Sequence, residues 1–260
     1  MKNIRRRIIL LILLLGNNSG SISAGQEVRK GETGENTVTV YSIGDSTMAD
    51  KSAAVAPETG WCQALRSFVD STVTIKNRAV NGRSSKSFIA EKRWKAVTDS
   101  LKRGDFVIIQ FGHNDEKKQD TTRYTDPHTA YRQNLARFVR ETRDRGATPI
   151  LCTPIVRRKF EKGFLVDTHG DYPAVTRQVA AEMNVPLVDL QWLTAGAVTA
   201  LGEEASKKIY LWTAPAAKFP DGRKDDTHLC TEGASLVARL AAQQMRQFGN
   251  DLSGRIILRP

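Results

Sequence analysis

The chain has 260 residues, 40% hydrophobic and 7% aromatic, which suits one sizeable globular domain and excludes fibrous and disordered classes. Its 39 Lys and Arg against 28 Asp and Glu give a net charge of +11 and favour anionic partners. No run of Lys and Arg interleaved with aromatics marks a nucleic-acid interface, so no nucleic-acid partner is expected.

Residues 1–24 stand apart. Lys2, Arg5, Arg6 and Arg7 precede an apolar run from Ile8 to Leu15, and the segment closes on Ser21-Ile22-Ser23-Ala24. This is the pattern of a cleaved secretory signal, with the cut near Ser23 or Ala24. The run is shorter than the ~20 apolar residues that span a bilayer. No cysteine follows it closely to carry a lipid, so no stable membrane anchor is expected. The mature protein is expected in the periplasm or outside the cell. Without this segment 35 basic and 28 acidic residues remain, a net +7. An acidic polysaccharide fits both export and charge. Residues 25–36 are rich in Gly and charge and read as a flexible leader, with one domain over 37–250.

Short apolar runs then alternate with helical spacings. Strands are predicted at 38–43, 73–76, 105–111, 149–152 and 187–190. The 105–111 run is almost continuously apolar, as in a strand buried on both faces. Helices are predicted over 60–69, 86–101 with a break near Lys92, 128–145, 172–183 and 231–248, the last with Thr231 as N-cap. The alternation predicts a parallel five-stranded sheet with helices on both faces, a doubly wound α/β fold. With strand order 2-1-3-4-5, ligands bind beyond the strand C-termini, between strands one and three.

Four segments fall on that rim. Gly44-Asp45-Ser46-Thr47 follows strand one, with Gly44 allowing a sharp turn that exposes Ser46. A loop containing Gly82 follows strand two, Gly112-His113-Asn114-Asp115 follows strand three, and Asp225-Asp226-Thr227-His228 lies in a loop before the last helix. Acyl transfer needs such a set. Ser46 would be the nucleophile, His228 its base and Asp225 the group that orients the imidazole. The spacing of three to His228 favours Asp225 over the adjoining Asp226. The N–H groups of Ser46 and Gly82 and the Asn114 amide could receive the negative charge of a tetrahedral intermediate.

With these four blocks in order, the chain resembles the SGNH branch of the GDSL hydrolases. Asn77-Arg78-Ala79, Gly82-Arg83-Ser84 and Thr153-Pro154 with Arg157-Arg158 are most similar to the rhamnogalacturonan acetylesterase subgroup. The resemblance implies a flavodoxin-like three-layer α/β/α fold, no metal or other cofactor, and release of acetate from sugar hydroxyls in pectin. A lipase-type GDSL esterase, an acetylxylan esterase and a non-catalytic carbohydrate-binding protein are the alternatives.

Other residues carry weaker readings. Arg157 and Arg158 read as a solvated face or as a clamp for a substrate carboxylate. Arg83 either contacts substrate or braces its loop. Trp212 lies nearest the histidine loop and is the candidate for sugar stacking. His113 reads as a loop-packing residue, and His128 and His169 as exposed polar residues. Cys62, Cys152 and Cys230 are odd in number, so at least one is unpaired, and a Cys62–Cys230 bridge is open. No cysteine or histidine spacing suits a metal.

Overall fold

Runs rich in β-branched and aromatic residues build the frame, and a computed structural model describes residues 37–258 except Lys218. The expected signal segment 1–24 and leader 25–36 lie outside the described residues. In chain order the elements are β1 (Val38–Gly44), α1 (Trp61–Leu65), β2 (Val73–Asn77), α2 (Ser85–Ala90), α3 (Arg93–Thr98) and β3 (Phe106–Gln110). They continue with α4 (Arg132–Asp144), β4 (Thr148–Cys152), a small hairpin of β5 (Phe160–Glu161) and β6 (Phe164–Leu165), and α5 (Tyr172–Glu182). The last are β7 (Leu187–Val188), α6 (Leu190–Ala205), β8 (Tyr210–Thr213), β9 (Arg223–Leu229) and α7 (Thr231–Met245).

The main sheet runs β2-β1-β3-β4-β7, all neighbours parallel. Side chains alternate across it, as strand geometry requires. Phe106, Ile108, Ile150 and Cys152 pack with Trp61, Val198 and Val237 of α1, α6 and α7 on one face. Val107, Ile109 and Leu151 pack with Phe88, Trp94, Phe138 and Val175 of α2 to α5 on the other. This is the three-layer α/β/α arrangement with the flavodoxin-like strand order. Full burial of one such Phe or Ile contributes about 1.5–3 kcal/mol.

Local chemistry sets several boundaries. The expected break near Lys92 separates α2 from α3, with Lys92 at φ 57°. The stretch ahead of α4 is a wide turn over Pro127–Tyr131, started by Asp126 accepting from the N–H groups of His128 and Thr129. The fifth sheet strand ends at Val188 rather than 190, because Asp189 caps α6 by accepting from Trp192 N–H. Cys230, not Thr231, occupies the N-cap of α7, and it makes no side-chain cap bond. The packed chain continues past 250: Leu252 and Ile256 are buried, and Ile257 N–H donates to Phe68 O. All three cysteines are free and buried, so the Cys62–Cys230 bridge is not formed.

Candidate active site

The Gly44–Thr47 turn leaves the C-terminal end of β1 and is held from below. Gly44 does not need a left-handed backbone, contrary to the reading that it permits the turn. A Cβ there would lie 2.6 Å from Gln110 O and 2.8 Å from Met48 Sδ, so glycine serves close packing between strands. Asp45 is buried, and its Oδ1 accepts from Thr47 N–H at 2.9 Å and Thr47 Oγ1 at 2.8 Å. Gln110 Nε2 donates to Thr47 Oγ1 at 2.8 Å, and Trp61 Nε1 donates to Gln110 Oε1 at 2.7 Å. Between Tyr41 and Ala49 only Ser46 is not buried, so this buried chain presents one hydroxyl at the surface.

Asp225 and His228 lie on β9, in an antiparallel ribbon with β8, rather than in a plain loop. Tyr210 pairs with Leu229 and the next residue, Leu211, with Asp225, so 226–228 bulge out of the ladder. Bulges re-aim side chains, and this one turns His228 toward the sheet rim. Asp225 Oδ1 closes the bulge by accepting from the N–H groups of Thr227 at 2.8 Å and His228 at 2.9 Å. Its Oδ2 lies 2.7 Å from His228 Nδ1, and His228 Nε2 lies 2.9 Å from Ser46 Oγ. Burial opposes ionisation of Asp225. The bonds from the His228 ring, the two N–H groups and the charge of His228 outweigh it and hold the carboxyl well below its ordinary range.

The adjoining carboxylate has other partners. Asp226 Oδ1 accepts from Arg158 Nη1 at 2.9 Å and from Trp212 Nε1 at 2.8 Å. The structure therefore brings Asp225, and not Asp226, to the imidazole, as the spacing anticipated.

The second block meets the nucleophile turn through a hydrogen bond, and the third block meets the second. Val80 N–H donates to Gly44 O at 3.0 Å, which lays the loop after β2 beside the turn. Gly82 follows at φ 76°, a left-handed conformation that favours glycine. Asn114 is buried and donates from Nδ2 to Arg83 O at 3.1 Å, tying the loop after β3 to the Gly82 segment. No acceptor among the described residues takes the N–H of Ser46 or Gly82. A cleft of ≈ 450 Å³ opens at Gly82, lined also by Arg83, Glu91, Asp120 and Arg123.

The weaker candidates are mostly braces. Arg158 is buried, donates twice to Glu203 O and once to Asp226, and lies over the Phe160 and Trp212 rings. A guanidinium so engaged is neither a solvated face nor a clamp for substrate. The Trp212 ring is also contacted by the Lys207 ammonium at 4.7 Å, and these contacts give no support to a sugar-stacking role. Arg83 pairs with Glu91 and donates to Asn81 O, which matches the loop-bracing alternative. Arg157 pairs with Glu116 and donates to Thr168 Oγ1 and His113 O.

Two groups around the site left no mark in the sequence pattern. Lys51 Nζ reaches Asn81 Oδ1 at 2.7 Å and Glu58 Oε1 at 2.8 Å, Arg223 Nη1 lies 3.3 Å from Glu58 Oε2, and Arg223 Nη2 lies 3.8 Å from Asp225 Oδ2. This set links the Gly82 loop to the acid of the histidine ribbon. The second is buried. His169 is not exposed; its ring nitrogens lie 2.8 Å from Glu116 Oε2 and 2.8 Å from Ile155 O. It packs edge-on against His113, whose Nδ1 is 3.2 Å from Asp45 Oδ2. Burial pushes the His113 imidazole down to about 4, so the ring is neutral near pH 7. His128 is exposed as expected and meets Asp171. Among the described residues no group of three or more His, Cys, Asp or Glu could hold a metal ion, and no helix is long and apolar enough to cross a membrane.

A doubly wound α/β/α domain with a serine, histidine and aspartate in hydrogen-bond contact at its strand C-termini has the form of a serine-type ester hydrolase. The model for the GDSL-like lipase/acylhydrolase family matches residues 42–236, and the chain belongs to that family. It is 36% identical over 225 residues to the rhamnogalacturonan acetylesterase RhgT of Bacillus subtilis, covering 85% of this chain and 95% of that protein. With the "probable rhamnogalacturonan acetylesterase YesY" of B. subtilis, 36% identical over 218 residues and covering 84% of this chain and 97% of that protein, this places it in the rhamnogalacturonan acetylesterase-like subgroup. The crystal structure of B. subtilis YxiM superposes with TM-score 0.69 at 25% identity, covering 83% of this chain and 58% of that one. The acetylxylan esterase Axe2 of Geobacillus stearothermophilus shares the fold, with TM-score 0.58 at 20% identity over 82% of this chain and 95% of that one.

Proposed function

We propose that this protein is an exported serine carbohydrate esterase that removes acetyl groups from acetylated pectin, with rhamnogalacturonan as its substrate. The observation that carries the reading is the unbroken line Ser46 Oγ, His228 Nε2, His228 Nδ1, Asp225 Oδ2, with steps of 2.9 and 2.7 Å across its two hydrogen bonds. Asp225 Oδ2 accepts a hydrogen bond from the His228 Nδ1–H, so the proton stays on Nδ1 and the Nε2 lone pair faces Ser46. His228 accepts the hydroxyl proton as Ser46 Oγ attacks the acetyl carbon. The carbonyl oxygen becomes an oxyanion, received by the N–H groups of Ser46 and Gly82 and the Asn114 amide. Each donor is worth roughly 3–4 kcal/mol of barrier.

Collapse breaks the bond from the acetyl carbon to the sugar oxygen, and imidazolium His228 protonates that oxygen as it leaves. Water then attacks acetyl-Ser46, losing its proton to His228. Collapse breaks the Ser46 Oγ–acetyl bond as His228 returns the proton to Ser46 Oγ, and the acetic acid released ionises to acetate by giving its remaining proton to solvent. The net basic charge, the secretory pattern of residues 1–24 and the likeness to RhgT support an acidic glycan met outside the cytoplasm. The test is acetate release from acetylated rhamnogalacturonan, homogalacturonan and xylan by wild type and Ser46→Ala. Release from rhamnogalacturonan, lost in the variant, is expected. Release from xylan alone would overturn the substrate, and full turnover by Ser46→Ala the mechanism.

A further inference from the structure

Asn114 is held by two partners. Its Nδ2 gives one proton to Arg83 O at 3.1 Å, and its Oδ1 accepts from Lys117 Nζ at 2.9 Å. An asparagine amide has two donor protons and one acceptor oxygen. These contacts use the oxygen and one proton, and leave one Nδ2 proton with no acceptor among the described residues. Turning the amide over would set its NH2 against an ammonium and its oxygen against a carbonyl. The two partners therefore fix which side the free proton occupies.

Lys117 is free for this task because the nearby carboxylates are engaged elsewhere. Glu116 is paired with Arg157 and His169, and Asp120 with Arg123. Burial and the Arg123 and Arg157 guanidinium groups lower the pKa of the Lys117 ammonium, against the opposite pull of Glu116 and Asp45. A cation is thus kept on the amide oxygen in a neighbourhood that disfavours it. An ammonium there draws electron density from the amide and makes the remaining Nδ2–H a better donor to an anion.

We infer that Lys117 is a positioning residue for ester hydrolysis: it locks the Asn114 amide and strengthens the proton that Asn114 offers to the oxyanion. This rests on the reading of Asn114 as an oxyanion donor. Lys117 is exposed to solvent, which screens its charge, so the expected effect is about tenfold rather than the hundredfold or more expected for a direct donor.

The experiment is a double-mutant cycle with Lys117→Met and Asn114→Ala, read with 4-nitrophenyl acetate, which carries no carboxylate for a lysine to bind. Lys117→Met is expected to lower kcat about tenfold with KM within twofold. In the Asn114→Ala background the same change is expected to do nothing further, because the group it acts through is gone. An equal loss in both backgrounds, or an unchanged kcat in Lys117→Met, would overturn the inference. So would an effect confined to KM on acidic oligosaccharides, which would make Lys117 a substrate contact. Failure of the underlying reading looks different: Asn114→Ala alone would then keep full kcat. Should Asn114→Ala fold poorly, the side-chain amide signals of Asn114 in 15N–1H spectra serve instead. They are expected to broaden or exchange faster with water in Lys117→Met, and unchanged signals would count against the lock.

Discussion

Adjacent aspartates with different tasks allow a sharp test. Asp225→Asn keeps an oxygen for the Thr227 and His228 N–H groups, so the bulge is expected to survive. It changes what faces the ring. An amide NH2 opposite Nδ1 donates to it, which moves the imidazole proton to Nε2 and aims a hydrogen at Ser46 Oγ. A base with its lone pair turned away is lost: about 10⁴-fold in kcat by the behaviour of such triads, or ~5.5 kcal/mol. Asp226→Asn acts on the brace. Its amide oxygen can still accept from Arg158 and Trp212, but the charge opposite the buried guanidinium is gone. Arg158 keeps two bonds to Glu203 O, and Asp226 is 44% exposed, so the full buried-pair penalty does not apply. A loss of about 1–2 kcal/mol is expected, a fall in Tm of roughly 2–8 °C, with kcat within threefold of wild type. The assay is nitrophenyl acetate turnover together with thermal unfolding of both variants. Activity surviving Asp225→Asn but lost in folded Asp226→Asn would refute the assignment and the role given to the bulge.

Three other changes probe separate parts. Gly82→Ala retains the N–H, and its Cβ would meet only Arg123 Nη1 at 3.6 Å, so the cost is the φ of 76°, about 1–2 kcal/mol. Tm should drop by a few degrees with kcat within tenfold, and a thousandfold loss in a folded variant would mean that Gly82 does more than supply its N–H. Phe138 is fully buried, stacked on Phe111 and edge-on to Trp94, so Phe138→Ala should cost about 3–5 kcal/mol in denaturant unfolding. The His113 imidazole is depressed from 6.5 to about 4 in the fold. Its contribution is therefore complete above pH 6.5 and is lost as pH falls toward 4. Tm of wild type should decline across that window, and His113→Gln should flatten the decline; an equal slope in both would show that His113 is not its source.

β1, β3 and β4 were legible because they are buried along almost their whole length and read as apolar runs, and the edge strand β2, exposed at alternate positions, was legible from its alternation. The helices α4 and α5 were legible from one apolar stripe at helical spacing. The elements that escaped lack such a pattern. The helix α6 carries an exposed Trp192 and a kink at Gly202, where φ is 75° and ψ 176°, so no stripe runs its length. The ribbon of β8 and β9 carries Arg223-Lys224-Asp225-Asp226-Thr227-His228, whose polarity reads as loop. It pairs with β8, and its Asp226 is held by Trp212 of β8 and by Arg158 from outside the ribbon, which local composition cannot report. The same limit hid the real tasks of those two residues. Ser46 and His228 could be paired from the order of their motifs, and the structure brings them to 2.9 Å. Arg158 and His169 were misread because charged and imidazole side chains default to the surface, and only tertiary partners reveal a buried one.

The two halves of the site are supported in unlike ways, and this bears on how it works. Ser46 stands on a turn whose struts, Asp45, Thr47, Gln110 and Trp61, are all buried in the domain core. His228 stands on a bulge of a two-stranded ribbon, fastened by Arg158 to Asp226 and by Arg223 to Glu58. The ribbon is anchored by Tyr210, Leu211 and Leu229, which are buried, and these ion pairs and the contact of β9 with α7 brace its polar part. The serine is thus held by buried hydrogen bonds, and the histidine by a core-anchored ribbon whose polar part rests on ion pairs. In the proposed reaction His228 serves two oxygens in turn, that of Ser46 and that of the leaving sugar or the incoming water, and both supports meet at its 2.9 Å contact with Ser46 Oγ.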